Sequence, residues 1–293
     1  MHVFLTGATG WVGAKVAEVL LAAGHQVSGL ARNEEKARAF VAAGGKAVYG
    51  TLDDSQLLFD AAAKADAVIH TAFNHDFSRF ADNCAQDERA ITVMGDALRG
   101  SSRPLLVTSG LARLVAGRPA TEEDAPASGP DYLRRSEQAA LALAQQGVKA
   151  ACVRLAPTVH GVGDRGFIPF LIALAKQSGV SAWQEDGSNR WAAVHRNDAA
   201  TVYRLALESG VTQPVYHAVA EEGIAMREIA IAIGKMLGVP AEPREASHFG
   251  WFAGFAGMEM SAASEQTRRT LGWQPAGRDL LTDLHDTDYY VNS

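Results

Sequence analysis

Thr6-Gly7-Ala8-Thr9-Gly10-Trp11-Val12-Gly13 joins a short apolar run, residues 2–5, to a segment, 12–23, in which Val, Ala and Leu recur at helical spacing. The three glycines of this junction have separate tasks. Gly7 permits a tight turn after a strand, Gly10 lets a ligand approach the backbone, and Gly13 lets the new helix sit close on the strand. The N–H groups at the start of that helix, at the positive end of its dipole, form an anion site. The strand–turn–helix context identifies the anion as the pyrophosphate of a dinucleotide. An ordinary glycine-rich turn of a non-nucleotide α/β protein is the alternative.

Outward from this turn, short apolar runs alternate with helix-length segments, the pattern of parallel strands joined by crossover helices. Strands are expected at 2–5, 26–30, 46–49, 67–70, 105–108 and 150–155, each buried on both faces. Helices are expected at 12–23, 34–43, 55–63, 80–99 and 132–146, with Gly24, Gly44 and Gly147 as C-terminal stops. The fold class is therefore α/β: a Rossmann doubly wound parallel sheet over residues 1–155, followed by a smaller C-terminal substrate-binding lobe over 156–293, with 191–220 returning to the first domain. Within the second half, helices are expected at 167–176, 198–208, 224–237 and 266–271 and a strand at 191–195.

The 293 residues suffice for a large core without staples. Cys84 and Cys152 are too few and too far apart for a disulfide framework or a metal site, which predicts a reduced, cytoplasmic setting. The first residues lack the basic region and long apolar run of a signal peptide, and no apolar run is long enough for a membrane span. A net charge of −6 without a dense basic tract argues against nucleic acid and leaves small molecules as partners. Asn74-His75-Asp76-Phe77 looks metal-like but has no second ligand cluster, so it reads as a loop.

An acidic residue at the end of the second strand would accept hydrogen bonds from a ribose 2′-hydroxyl. Here that strand ends Gly29-Leu30-Ala31-Arg32-Asn33, where Arg32 offers a guanidinium fork suited to a 2′-phosphate and Lys36 adds a second charge. The cofactor expected is NADP(H) rather than NAD(H). Solvated charges at a helix start are the plainer reading of Arg32 and Lys36.

Thr-Gly-x-x-Gly-x-x-Gly at 6–13, with His70-Thr71-Ala72-Phe73, resembles the extended and atypical short-chain dehydrogenase/reductases. Val153-Arg154-Leu155-Ala156-Pro157-Thr158-Val159-His160-Gly161, Ala193-Val194-His195-Arg196-Asn197-Asp198-Ala199-Ala200 and Leu271-Gly272-Trp273-Gln274-Pro275 are similar to later stretches of the same family. The resemblance implies that Gly7, Thr9, Gly10, Trp11, Val12 and Gly13 line the pyrophosphate. It further implies that Leu52 and Asp53 lie near the adenine, Thr71, Ala72 and Phe73 along the cofactor, and Pro157, Thr158 and Val159 near the carboxamide. Thr51 stands where the family has an aspartate. It implies a homodimer as readily as a monomer, through helices such as 80–99 and 132–146.

Family members reduce carbonyls with a Tyr-x-x-x-Lys pair and a Ser or Thr, and this chain departs from that set. Tyr132 is followed four residues later by Ser136, and Gly110 replaces the last serine of the usual Thr-Ser-Ser, leaving Ser109 as the nearest hydroxyl. Candidate proton donors are Tyr132, His160 and His195, each with a purely structural alternative. Phe73, Phe77, Phe167, Trp191, Phe249 and Trp251 suggest an apolar pocket. The expected function is NADPH-dependent reduction of an apolar ketone, aldehyde or imine by hydride transfer, with Ser109, Tyr132 and His160 as the catalytic candidates. A non-catalytic NADP(H)-binding sensor or scaffold is one alternative. A sugar-nucleotide epimerase is the other, kept open by Arg165, Arg190 and Arg196.

Overall fold

Each apolar run of the first half becomes a strand in the computed structural model, which describes residues 1–112, 114–115, 117–129 and 132–290. In chain order the elements are β1 (His2–Thr6), α1 (Trp11–Ala22), β2 (Gln26–Ala31), α2 (Glu34–Ala42), β3 (Lys46–Tyr49), α3 (Ser55–Ala63), β4 (Ala67–His70), α4 (Phe80–Asp96), β5 (Pro104–Gly110), α5 (Ser136–Gln145) and β6 (Lys149–Leu155). There follow β7 (Thr158–His160), α6 (Phe167–Ser178), β8 (Ser181–Trp183), β9 (Arg190–His195), α7 (Arg196–Glu208), β10 (Val215–Ala218), β11 (Glu221–Ala225) and α8 (Met226–Leu237). The last are β12 (Ala241–Pro243), α9 (Ala253–Ala256), α10 (Glu265–Leu271) and α11 (Leu280–Leu284). Gly24, Gly44 and Gly147 end their helices at φ of +83°, +99° and +86°.

The main sheet has the order β10-β6-β5-β4-β1-β2-β3. From β1 the chain winds outward through β2 and β3, then returns through α3 to lay β4 on the other side of β1. That reversal is the topological switch of a doubly wound sheet, and ligands bind beyond the carboxyl ends of the strands that flank it. Register makes the point concrete: Thr6 at the end of β1 pairs with His70 at the end of β4.

Two compact units divide the chain. The first comprises Met1–Ser109, Pro126–Arg154 and Ala200–Tyr216, and the second Gly110–Ala125, Leu155–Ala199 and His217–Ser293. The first unit's core joins sheet residues Phe4, Val68, Leu105 and Val107 to Ile91 and Met94 of α4 and Leu143 of α5. Ile91, Met94 and Leu105 are fully buried, and each such side chain contributes about 1.5–3 kcal/mol. Gly95 lets α4 and α5 meet closely, since a Cβ there would strike Leu143. Between α5 and β6, buried Arg154 forks onto buried Glu137, Nε donating to Oε2 at 2.9 Å and Nη2 to Oε1 at 2.6 Å.

The second unit holds a three-stranded sheet, β11-β9-β7, and the pair β12-β8. Its core gathers Ile168 and Ile172 of α6, Trp191 of β9, Ile229 and Ile233 of α8, Phe249, Phe252, Leu280 and Leu284.

Several expectations are corrected. β3 is an edge strand with Lys46 and Tyr49 exposed, because nothing pairs beyond it in the sheet. The helix expected from residue 132 begins at Ser136, since residues before it are held by side-chain contacts rather than by a helical ladder. Residues 221–225 form β11, antiparallel to β9, so the helix expected at 224–237 starts at Met226. Three of the six aromatic residues assigned to a pocket, Phe167, Trp191 and Phe249, build the second unit's core, and Phe73 lies under Arg134 in the first unit. Trp191 and Phe249 are buried, and Phe167 packs on Trp191, Phe252 and Phe255 at ring distances of 5.8, 5.1 and 5.0 Å. Trp251 is exposed, and the side chain of Phe77 lies outside the described residues. Among the described residues no helix is long and apolar enough to cross a membrane, and no group of three His, Cys, Asp or Glu side chains could hold a metal ion.

Candidate active site

Gly7 has a φ of +74°, a region that L side chains rarely adopt, and a Cβ there would meet Thr71 Oγ1 at 2.7 Å and the Ala72 nitrogen at 2.8 Å. A Cβ on Gly13 would fall on the Gly7 carbonyl oxygen. The turn is closed by the Gly10 N–H donating to the Gly7 carbonyl at 2.9 Å. Gly10 caps α1 without a side-chain hydrogen bond, and the first turn of α1 carries no acidic residue, so the positive end of the helix is left for an exogenous anion. Nucleotide chemistry fits this cradle. Gly13→Ala is expected to force α1 off the turn, with a stability loss of about 1–3 kcal/mol and weakened binding of a nicotinamide dinucleotide. Thermal unfolding and fluorescence titration check both.

The loop after β4 is tied to the same place. Thr71 Oγ1 donates to the Thr6 carbonyl at 2.7 Å, and the Ala72 N–H donates to Thr6 Oγ1 at 3.4 Å. Thr71 and Ala72 therefore meet Gly7 and Gly13, while Thr9, Trp11 and Val12 lie along the turn and the start of α1. Arg32 follows β2 and is exposed, as is Lys36 one turn into α2, whose N–H donates to the Asn33 cap at 2.9 Å. Asp53 turns toward α4, accepting from Gln86 Nε2 at 2.7 Å, beside half-buried Leu52. Thr51, in the family's aspartate position, donates from its N–H and hydroxyl to Asp54 at 2.6 and 3.0 Å.

One strand over, at the end of β5, buried Ser109 lies near the hydroxyl of half-buried Tyr132. Burial pushes the Tyr132 phenol above its ordinary value, while the Arg134 guanidinium and the Ser109 hydroxyl pull the other way. Arg134 is well anchored. Its Nε donates to Ser136 Oγ at 3.0 Å, its Nη2 to the Thr108 carbonyl at 3.2 Å, and its guanidinium lies 4.3 Å over the Phe73 ring. Behind it runs a buried polar chain: Ser136 Oγ donates to Asp87 Oδ2 at 2.5 Å, His70 Nε2 lies 2.9 Å from Asp87 Oδ1, and His70 Nδ1 lies 2.7 Å from Thr6 Oγ1.

The remaining candidates are in the second unit. Thr158 and Val159 belong to β7, which pairs with β9, and the Thr158 hydroxyl donates to the Ala192 carbonyl at 3.2 Å; Pro157 precedes the strand. His160 is fully buried, its Nδ1 2.6 Å from Asp283 Oδ2 and its Nε2 3.7 Å from Glu221. His195 packs edge-on against it at 5.6 Å.

The model of the NAD dependent epimerase/dehydratase family matches residues 3–219. The chain belongs to that family. Within the epimerase/dehydratase family's wider company, it is 44% identical to an uncharacterised protein of Schizosaccharomyces pombe, over 99% of this chain and 100% of the other. It is 26% identical to the 4-hydroxy-2-methyl-3-oxo-4-farnesyl-3,4-dihydroquinoline-1-oxide ketoreductase of Stigmatella aurantiaca, over 95% and 92%. A crystal structure of DesIV, a dTDP-glucose 4,6-dehydratase from Streptomyces venezuelae with NAD bound, shares the fold at a TM-score of 0.77 and 19% identity, covering 99% of this chain and 96% of the other. As an epimerase/dehydratase family member the chain departs from the tyrosine–lysine pattern in having Arg134, two residues after Tyr132. The anchoring of Arg134 had no sequence signal, because its partners Thr108 and Phe73 are distant in the chain.

Proposed function

We propose that this protein reduces the carbonyl of an apolar ketone or aldehyde with NADPH. The observation that carries the reading is that Ser109, at the end of β5, and Tyr132 lie near each other, β5 being the neighbour of the strand whose end loop is tied to the dinucleotide turn. The bound nucleotide supplies a hydride. Ser109 orients the carbonyl oxygen, and Tyr132 gives it a proton. A phenol pushed up by burial stays protonated at neutral pH, the form that donates to a forming alkoxide rather than the form that removes a proton from an alcohol. His160, buried on Asp283, is left to packing. The Stigmatella aurantiaca relative, named for a farnesylated ketone, supports an apolar carbonyl substrate.

Purified protein is expected to oxidise NADPH with members of a ketone and aldehyde panel. Binding of NADPH without oxidation across the panel would overturn the reading in favour of a sensor, and retained NAD(H) without net NADPH consumption would mark an epimerase. Arg32 and Lys36 hold the 2′-phosphate in this reading. Arg32→Asp is expected to weaken NADPH binding at least tenfold while NADH binding changes little, about 1.4 kcal/mol of discrimination. Isothermal titration with both nucleotides decides it, and equal losses would return the choice to NAD(H).

A further inference from the structure

Two hydrogen-bonded arms converge on one buried carboxylate in the first unit, and their polarity can be worked out. A carboxylate only accepts, so both Asp87 oxygens receive protons. His70 therefore donates from Nε2, and in the neutral imidazole its Nδ1 then accepts the Thr6 hydroxyl proton, while Thr6 Oγ1 in turn accepts the Ala72 N–H. On the other side, Ser136 donates its hydroxyl to Asp87 and accepts from Arg134 Nε. Thr6, His70, Asp87 and Ser136 each have a hydrogen-bond partner along the chain and almost no exposed surface. Networks satisfied in this way hold one geometry, since any rotation strands a buried polar atom.

We propose that Asp87 is a positioning residue for the reaction: through Ser136 it fixes Arg134 beside the Ser109–Tyr132 pair, and through His70 and Thr6 it fixes the loop that flanks the dinucleotide turn. The proposal rests on the carbonyl-reductase reading for its consequence in turnover. Arg134 closes the two arms on each other, because its guanidinium covers Phe73, the residue after Ala72. As Tyr132 gives up its proton, negative charge develops on a half-buried oxygen, and a fixed cation stabilises it far better there than in water. The other groups acting on that oxygen are Glu137, itself forked by Arg154, and the Cys152 thiol, both of which oppose ionisation. Arg134, anchored on the Thr108 carbonyl next to Ser109, is thus a cation that favours the ionised phenol against the effect of burial, and Asp87, through Ser136, helps hold it in place. The distance along the chain between Asp87 and Ser136 is why the unit is not visible in sequence.

The test is 19F NMR of the full chain labelled with 3-fluorotyrosine, titrated without nucleotide, the signal of position 132 being assigned by its loss in Tyr132→Phe. Arg134→Gln is expected to move that titration upward by about one pH unit or more, the effect of losing a neighbouring opposite charge. Arg134→Lys should restore most of it. Asp87→Asn and Ser136→Ala should shift the same signal in the same direction by a smaller amount. Ser136→Ala removes a single hydroxyl and keeps the His70–Asp87 contact, so it remains decisive if Asp87→Asn fails to fold. A wild-type titration in Ser136→Ala, accompanied only by a lower unfolding temperature, would overturn the positioning role. Because this readout needs no turnover, shifted titrations in a protein that never oxidises NADPH would overturn the reductase reading alone.

Discussion

Under the proposed reductase function, Tyr132→Phe will lower the rate of NADPH-dependent carbonyl reduction by about 100-fold or more while leaving NADPH affinity within a factor of two or so, the span that a single positioned proton donor supplies. The phenylalanine keeps the ring's packing and removes only the hydroxyl near Ser109. Single-turnover kinetics separate this from a change in product release. The pH dependence has a definite sign. A donor must carry its proton, and burial raises the phenol above its ordinary value near about pH 10, so the wild-type rate should stay level through neutral pH and decline only above that range. A rate that rises with pH from neutral would mean that the group acts as a base, and the reaction would have to be read in the oxidative direction.

Arg154→Leu will destabilise the first unit by about 3–5 kcal/mol, the expected result of leaving a buried carboxylate without its partner. Arg154 and Glu137 are almost wholly buried and joined by two parallel hydrogen bonds between β6 and α5. The double variant Glu137→Leu/Arg154→Leu should recover most of the loss, because two apolar side chains need no partner. Thermal unfolding followed by circular dichroism distinguishes the cases. A single variant as stable as the double would show that Glu137 finds another donor.

The same contrast between local and distant partners explains what was legible in the sequence. The strands of the first half and the glycine turn are local matters. Val3, Phe4 and Leu5 have to be buried, and Gly7 and Gly13 stand where a Cβ has no room, so composition alone points to them. Residues 132–135 are the opposite case. Their residue types suit a helix, yet Arg134 is taken up by Thr108 and Phe73, each distant in the chain, and the helix waits until Ser136. Glu221–Ala225 has little strand propensity and becomes a strand because β9 offers it an antiparallel edge. The buried contact of His160 is not legible in sequence because its partner, Asp283, lies at the far end of the chain. Aromatic residues carry no mark that separates a pocket wall from a core, and Trp191 and Phe249 went to the core.

The seventh strand of the main sheet arrives late. β10 lies beyond β6 in the sheet order, and the Cys152 N–H donates to the Pro214 carbonyl, although residues 155–199 are spent in the second unit before the chain comes back. During vectorial synthesis, therefore, the nascent sheet waits with the apolar strand at 150–153 as an open border, a template on which other chains can pair. A nascent chain halted at residue 155 is a hazard rather than a module, and the nucleotide-binding half is completed only when the ribosome has delivered the segment through residue 216.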